Sequence, residues 1–275
     1  MSDAFDLSKL PTLGDLGPDR GKFLLHGDAG TGKTTLAASI AELGPILYVD
    51  LLGMAGLDSI AHAPYAKNVT VVRPRTVGMM NDILGSLVLG DHPYIGVVVE
   101  HVNTWHTMYV RYHNGLPEEG PERALRGKEK PTKRDGRQVY GEANDSLKDH
   151  ITFWYGLADA DSEKPIHVVM TAHSRDRESR QGAADWRLGP DVSPGAIRTV
   201  EAAPNYIGYC AIETPDDLLG DETPAPHYTV RFGPHPDIMT KTHEEIDAAK
   251  RWPAVVGQDG KRLTLPKMMK FLGLV

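Results

Sequence analysis

The feature that most constrains this chain is a short glycine-rich segment that separates an apolar run from a stretch of helical composition. Residues 27–34 are Gly-Asp-Ala-Gly-Thr-Gly-Lys-Thr and fit the phosphate-binding pattern G-x-x-x-x-G-K-[ST]. A strand is predicted before the segment, over residues 22–26, and a helix follows it. In that setting the backbone N–H groups can turn inward around phosphate oxygens. The alternative is a glycine-rich turn without a ligand.

The segment predicts an ATP site with Mg²⁺. Lys33 is expected to reach the β- and γ-phosphates, and the Thr34 hydroxyl is expected to bind the metal ion. The predicted nucleotide ligands are Gly27, Asp28, Ala29, Gly30, Thr31, Gly32, Lys33, Thr34 and Thr35.

Composition narrows the classes of protein. The chain has 275 residues and a formal net charge of −7, so any nucleic-acid contact requires a local basic patch. The one cysteine, Cys210, lies in an apolar run; we interpret it as a core residue and expect a reducing, cytoplasmic location. Apolar runs as long as a membrane span and a basic secretion signal are both absent from the sequence.

The pattern of elements predicts an α/β fold with a mostly parallel sheet. We expect an irregular lead-in over residues 1–21, a core over residues 22–245 and a C-terminal extension over residues 246–275. Further strands are predicted at 46–50, 69–73, 94–100 and 166–173, and helices at 35–42, 76–89, 102–112 and 139–158. Residues 207–213 and 227–232 predict an antiparallel hairpin, and Pro266 is expected to start a last short helix.

Two predicted strands end in a carboxylate. Asp50 closes the run 46–50, and Glu100 closes the run 97–100. In open α/β sheets ligands bind at this edge, so Glu100 is a candidate for the Mg²⁺ shell and both acids are candidate catalytic residues. An ordinary strand-terminal acid, or a turn cap in the case of Asp50, is the alternative.

A third apolar strand ends in polar residues. Thr171 and His173 follow the run 166–170, and either side chain could contact the γ-phosphate or the attacking water. His173 is our candidate catalytic residue, although a lone histidine is often structural.

Two polar segments carry arginine and lysine in an otherwise acidic protein. Residues 113–138 have a clear excess of positive charge and are predicted to form a mobile loop that contacts a nucleic-acid backbone; residues 174–195 form a second, nearly neutral loop. A solvated flexible loop is the alternative. The candidate DNA-binding residues are Arg123, Arg126, Lys128, Lys130, Lys133, Arg134, Arg137, Arg175, Arg177 and Arg180.

The order of these parts resembles the RecA-like ATPases, most closely the phage-encoded single-strand annealing recombinases of that class. The resemblance covers residues 20–245. It is carried by residues 27–35, the strand ends at Asp50 and Glu100, and the stretches 141–145, 169–173 and 239–242.

This resemblance implies a RecA-type core with ATP at subunit interfaces of a homo-oligomer, either a hexameric ring or a filament. It implies that the two loops face a path for single-stranded or branched DNA, with a single-strand DNA-binding protein as a further partner. Lys241 matches a position that offers a basic side chain to the neighbour's γ-phosphate. The expected location is then the cytoplasm, or the host-cell cytoplasm for a phage protein.

The chain departs from the pattern of these relatives at the predicted site. Relatives carry Asp-x-Glu after the second strand, whereas Leu52 replaces that water-orienting glutamate here. Glu100 and His101 stand where an aspartate and a small polar residue are usual, and His243 replaces an arginine. We therefore predict nucleotide binding with slow hydrolysis, or a base supplied by Glu100 or Asp50.

Two other functions fit parts of the sequence. Asp50 and Glu100 could hold two metal ions in a nuclease that cuts single-stranded or branched DNA. Alternatively, residues 174–190 could form the arginine-bearing lid of a P-loop kinase for small molecules. DNA cleavage that survives Lys33→Ala would favour the nuclease, and phosphoryl transfer to a nucleoside would favour the kinase.

Overall fold

A computed structural model describes residues 20–53, 56–116, 135–176, 188–213, 227–233, 235, 237–242, 264–271 and 274–275. Within them the chain forms eight strands and six α-helices. In chain order they are β1 (Lys22–Gly27), α1 (Lys33–Ala38), β2 (Ile46–Asp50), β3 (Val69–Val72), α2 (Val77–Val88), β4 (Gly96–Glu100), α3 (Val102–His113), α4 (Gly136–Gly156), β5 (His167–Asp176), β6 (Leu188–Pro190), α5 (Ile197–Ala202), β7 (Tyr206–Glu213), β8 (His227–Arg231) and α6 (Leu265–Phe271).

The strands form one sheet in the order β3-β2-β4-β5-β1-β7-β8, and β6 pairs with β5. The five pairs β3–β2, β2–β4, β4–β5, β5–β1 and β1–β7 are parallel, whereas β7–β8 and β5–β6 are antiparallel. Apolar residues run along both faces of the central strands, as parallel strands covered by helices require. The predicted α/β fold, with its mostly parallel sheet and C-terminal hairpin, is confirmed.

Helices cover the sheet on both faces. On one face Leu24, Val97 and Met170 pack with the buried rings of Trp105 and Trp154 from α3 and α4. The other face packs against α1, the 3₁₀ turn Ser39–Glu42 and α6. Because alternate residues of a strand point to opposite faces, the strands supply both cores at once.

The carboxyl ends of the parallel strands meet at one edge of the sheet. Asp50 pairs with Glu100, Glu100 pairs with Thr171, and Gly27 pairs with His173. The start of the glycine-rich segment and the strand-end polar residues therefore lie at neighbouring positions on this edge.

Two element boundaries differ from the predicted loops. Helix α4 begins at Gly136, since the Asp135 side chain accepts a hydrogen bond from the Arg137 backbone N–H and caps the helix. Arg137 thus lies in a helix, not in the loop 113–138. Strand β5 continues to Asp176 by pairing with β6, so Arg175 lies in a strand and β6 interrupts the predicted loop 174–195.

The C-terminal helix α6 packs beside the end of the phosphate-segment helix. The Leu265 N–H donates to the Ser39 hydroxyl at 2.7 Å, and the Thr264 hydroxyl donates to Glu42 at 3.0 Å. Leu265 and Met269 are fully buried. Among the described residues, no helix is long and apolar enough to cross a membrane.

Candidate nucleotide-binding site

Residues 27–34 form a tight connection between β1 and α1. Gly30 and Gly32 have φ angles of 79° and 83°, which favour glycine. A Cβ on Gly27 would lie 2.2 Å from the Cys210 carbonyl oxygen, so this position also requires glycine. The Thr31 hydroxyl donates to the Asp28 carbonyl at 2.8 Å and closes the turn.

The Lys33 ammonium lies inside this connection. Its Nζ atom donates to the carbonyl oxygens of Gly27 at 2.9 Å and Asp28 at 2.6 Å, and the residue is 4% exposed. Burial lowers the pKa of Lys33. The ammonium therefore lies within the connection of residues 27–34, where the sequence pattern predicts that phosphate oxygens bind.

Glu100 lies beside Thr34, and three side chains contact its carboxylate. The Thr34 hydroxyl donates to Oε1, and His101 Nε2 lies 3.2 Å from the same oxygen. The Tyr48 hydroxyl donates to Oε2. Glu100 is 1% exposed, and burial by itself would raise its pKa, but these hydrogen bonds prevail and the pKa of Glu100 is lowered.

The contact between Thr34 and Glu100 suits a magnesium ion. A hydroxyl that donates its proton to a carboxylate keeps its oxygen lone pairs for a metal ion, and Mg²⁺ prefers oxygen ligands. The two residues would therefore hold Mg²⁺ together with the nucleotide phosphates. In the described part of the chain, no group of three or more His, Cys, Asp or Glu could hold a metal, which gives the two-metal nuclease site no support there.

Asp50 has different partners, although it is next to Glu100 in register. Its Oδ1 accepts hydrogen bonds from the backbone N–H groups of Leu52 at 3.0 Å and Gly53 at 2.8 Å. Its Oδ2 pairs with Arg73 Nε at 2.9 Å. These contacts support the turn-cap interpretation, and a catalytic role for Asp50 stays a prediction.

Strand β5 contributes two further polar side chains to this edge, where it passes the end of β4 and of β1. His173 packs against His101 with ring centroids 4.3 Å apart, and burial, together with the charges of His101 and Lys33, lowers the pKa of His173. Thr171 is fully buried, and its hydroxyl has no hydrogen-bond partner among the described residues. The strand order places both at the edge where the glycine-rich segment begins.

Lys241 lies away from this cluster within the same chain. It pairs with Ile207, near the start of β7, whereas the glycine-rich segment begins opposite Cys210. Its Nζ donates to the carbonyl oxygens of Glu201 at 3.1 Å and Ala202 at 2.9 Å, at the end of α5. Its role toward a neighbouring subunit stays a prediction.

The candidate DNA-binding residues fall mostly outside the described residues. Arg137 lies in the first turn of α4, and Arg175 in β5 is 3.6 Å from Asp191. Those that fall outside are Arg123, Arg126, Lys128, Lys130, Lys133, Arg134, Arg177 and Arg180.

Three residues of the site were not found from the sequence. Tyr48 and His101 contact Glu100 from β2 and from the N-cap of α3, and Gly56 lies so close that a Cβ would be 2.9 Å from Glu100 Oε2. A tyrosine inside an apolar strand that ends in an acid is the signal that could have indicated the first contact.

The family follows from one comparison. A sequence model described as an AAA domain matches residues 20–252. The chain belongs to the AAA domain family. AAA domains are P-loop NTPase domains, so the match supports nucleotide binding and NTPase activity in general terms. No curated protein matches this AAA-domain chain.

Proposed function

We propose that this AAA-domain protein is an ATPase that binds ATP, hydrolyses it slowly and acts on single-stranded DNA in recombination, repair or replication. The observation that carries the nucleotide part is the contact of Thr34 with Glu100 directly beside Lys33. It joins the phosphate segment to a strand-end carboxylate, as a nucleotide with Mg²⁺ requires.

Nucleotide binding would exchange the partners of Lys33. Its ammonium donates to two carbonyl oxygens, and phosphate oxygens would replace them with stronger, charge-assisted hydrogen bonds. A bound Mg²⁺ would neutralise charge on the phosphates, with the Thr34 oxygen as its ligand and the Glu100 carboxylate in the shell around it.

Slow hydrolysis follows from how the two acids are held. Glu100 accepts three hydrogen bonds, and its lowered pKa makes it a weak base at neutral pH. Asp50 pairs with Arg73 and with two backbone N–H groups. Leu52 stands where the RecA-like relatives carry a water-orienting glutamate. His173 and Thr171 remain as side chains that could contact the γ-phosphate or the attacking water.

The DNA part rests on charge and on the resemblance to recombinases. The positive excess in residues 113–138 suits a phosphate backbone, and Arg175 keeps 66% of its side chain exposed. Self-association into a ring or filament would bring Lys241 of one subunit to the ATP of the next. A single-strand DNA-binding protein would be a further partner.

Fluorescent ADP and ATP titrations test the nucleotide part. Lys33→Ala should abolish binding in the presence of Mg²⁺, whereas Lys67→Ala, which changes an exposed lysine, should bind like the wild type. Equal binding by both variants would contradict the assignment of the glycine-rich segment.

Steady-state hydrolysis tests the slow turnover. We expect a low rate that single-stranded DNA raises, and Leu52→Glu should raise it by about tenfold or more by supplying a base. A wild-type rate typical of fast motors would contradict the proposal, and an unchanged rate in Leu52→Glu would mean that Leu52 does not limit hydrolysis.

Binding to an oligonucleotide at several salt concentrations tests the DNA part. Neutralising Lys128, Lys130, Lys133 and Arg134 should flatten the slope of log affinity against log salt by up to roughly 0.7 for each lost phosphate contact. An unchanged slope would remove this segment from the DNA interface, and strand cleavage that survives Lys33→Ala would favour a nuclease instead.

A further inference from the structure

We propose that Tyr48 and His101 are positioning residues that fix the Glu100 carboxylate, which in turn orients the Thr34 hydroxyl toward Mg²⁺. This inference rests on the proposed nucleotide site and concerns how its metal ligands are held. Neither residue belongs to the phosphate pattern, and both are almost fully buried, Tyr48 at 0% and His101 at 4% exposure.

The two oxygens of Glu100 are held from different elements. Tyr48, on β2, donates to Oε2, while His101, at the start of α3, lies 3.2 Å from Oε1, the oxygen that also accepts from Thr34. A carboxylate with donors on both oxygens cannot rotate without breaking at least one hydrogen bond. The orientation that meets Thr34 is therefore the one that Tyr48 and His101 enforce.

The geometry of this cluster sets the direction of each hydrogen bond. The Tyr48 hydroxyl donates to Glu100 Oε2 and the Thr34 hydroxyl donates to Oε1, so the carboxylate is the acceptor in both. The Thr34 hydroxyl must then give its proton to Glu100, and its lone pairs are left for the metal ion. A freely rotating carboxylate would not fix the hydroxyl in this way.

Gly56 leaves the space beside this cluster open to the Glu100 carboxylate. A Cβ at this position would lie 2.9 Å from Glu100 Oε2 and 3.3 Å from Thr34 Cγ2. A larger residue at position 56 would therefore press on the carboxylate that Tyr48 and His101 hold.

The length of the Glu100 side chain matters for these contacts. A glutamate is one methylene longer than an aspartate, by about 1.5 Å. That length lets Glu100 reach both Tyr48 on β2 and Thr34 on the helix α1. His101 contacts the same carboxylate from the start of α3 and helps to hold the long side chain in place.

The test is the Mg²⁺ concentration that half-saturates binding of a fluorescent ADP to the full-length protein. Tyr48→Phe removes only the hydroxyl, and we expect it to raise this concentration by about 10- to 100-fold, as loss of a residue that orients a metal ligand does. Affinity for ADP in EDTA should stay as in the wild type. Tyr65→Phe is the matched control, since Tyr65 is also buried on the α1 face and donates to the Thr35 carbonyl at 3.1 Å; its Mg²⁺ dependence should stay within about twofold.

A second pair of variants covers the case in which Tyr48→Phe does not fold. His101→Leu removes the ring N–H and should raise the Mg²⁺ concentration that half-saturates ADP binding. His101→Gln keeps an amide donor and should bring this concentration back close to that of the wild type. If the wild type needs Mg²⁺ but neither Tyr48→Phe nor His101→Leu changes the requirement, the positioning role is wrong and the nucleotide site stands. If the wild type binds no ADP, or binds it without regard to Mg²⁺, the proposed function fails, and this inference fails with it.

Discussion

Glu100 and Asp50 close neighbouring strands and face each other in register, yet their surroundings differ completely. Glu100 accepts from the hydroxyls of Thr34 in the phosphate segment and of Tyr48, and His101 at the start of α3 lies 3.2 Å from it. Asp50 accepts from two backbone N–H groups of the turn that follows it and from Arg73. Position at the functional edge therefore does not decide the role of an acid; its partners do.

The difference has a simple physical origin. An aspartate is short, so Oδ1 of Asp50 reaches the backbone two and three residues further on, which is how this residue type caps turns. The longer glutamate reaches the phosphate segment on α1 instead. The comparison is consistent with our proposal that Glu100 acts on the ligand, while Asp50 acts on the fold.

The largest effect that tests this comparison is expected from Glu100→Gln. Loss of the negative charge should reduce Mg²⁺-dependent ATP hydrolysis by at least about 100-fold, because the metal shell loses its carboxylate charge and the Thr34 hydroxyl loses the acceptor that orients it. Asp50→Asn should stay within a few fold of the wild type in the same steady-state assay. An equal loss in both variants would show that the two acids share the chemistry.

The sequence predicts most of the fold. Strand β2 has the predicted bounds, and long apolar runs bounded by glycine and proline place the other central strands within a few residues. Strand β6 was missed because three residues are too few for periodicity to show. The start of α4 was missed because its cap, Asp135, is a polar residue among many others in that segment.

The sequence predicts only part of the site. A pattern of glycines, lysine and threonine marks Lys33 and Thr34 because phosphate binding depends on local geometry, and Glu100 follows from its place at a strand end. Tyr48 and His101 were not predicted, since their contacts depend on which strands are neighbours and on where α3 begins. The pairing of Asp50 with Arg73 likewise requires the register of β2 with β3.

Asp50→Ala should have the next largest effect, on stability and not on catalysis. It removes the acceptor of the Leu52 and Gly53 N–H groups, and we expect the free energy of unfolding to fall by about 1–3 kcal/mol. Urea denaturation measures this change. Asp50→Asn keeps one acceptor oxygen and should lose less; a stable Asp50→Ala with weakened nucleotide binding would reverse the assignment.

The pH dependence of stability separates the two acids further. In metal-free buffer the pKa of Glu100 lies below its ordinary value of 4.5, because hydrogen bonds from His101, Thr34 and Tyr48 outweigh burial. The folded state thus holds the proton of Glu100 less tightly than the unfolded state does. The stabilisation that ionised Glu100 contributes is therefore complete above about pH 4.5 and is lost as the pH falls through the pKa of the folded state. Stability curves of the wild type and Glu100→Gln should therefore converge in acid, and a constant gap would contradict the pKa shift.

Arg73→Met should give the smallest effect. Arg73 keeps 41% of its side chain exposed, so water screens its ion pair with Asp50, and we expect a loss below about 1 kcal/mol in urea denaturation. Lys67→Met, which changes an exposed lysine before β3, provides the baseline. A loss of stability as large as that of Asp50→Ala would mean that the ion pair, and not the two backbone N–H groups, makes Asp50 a structural residue. ATP hydrolysis should be unchanged in either case, because Arg73 contacts Asp50 and not the phosphate segment.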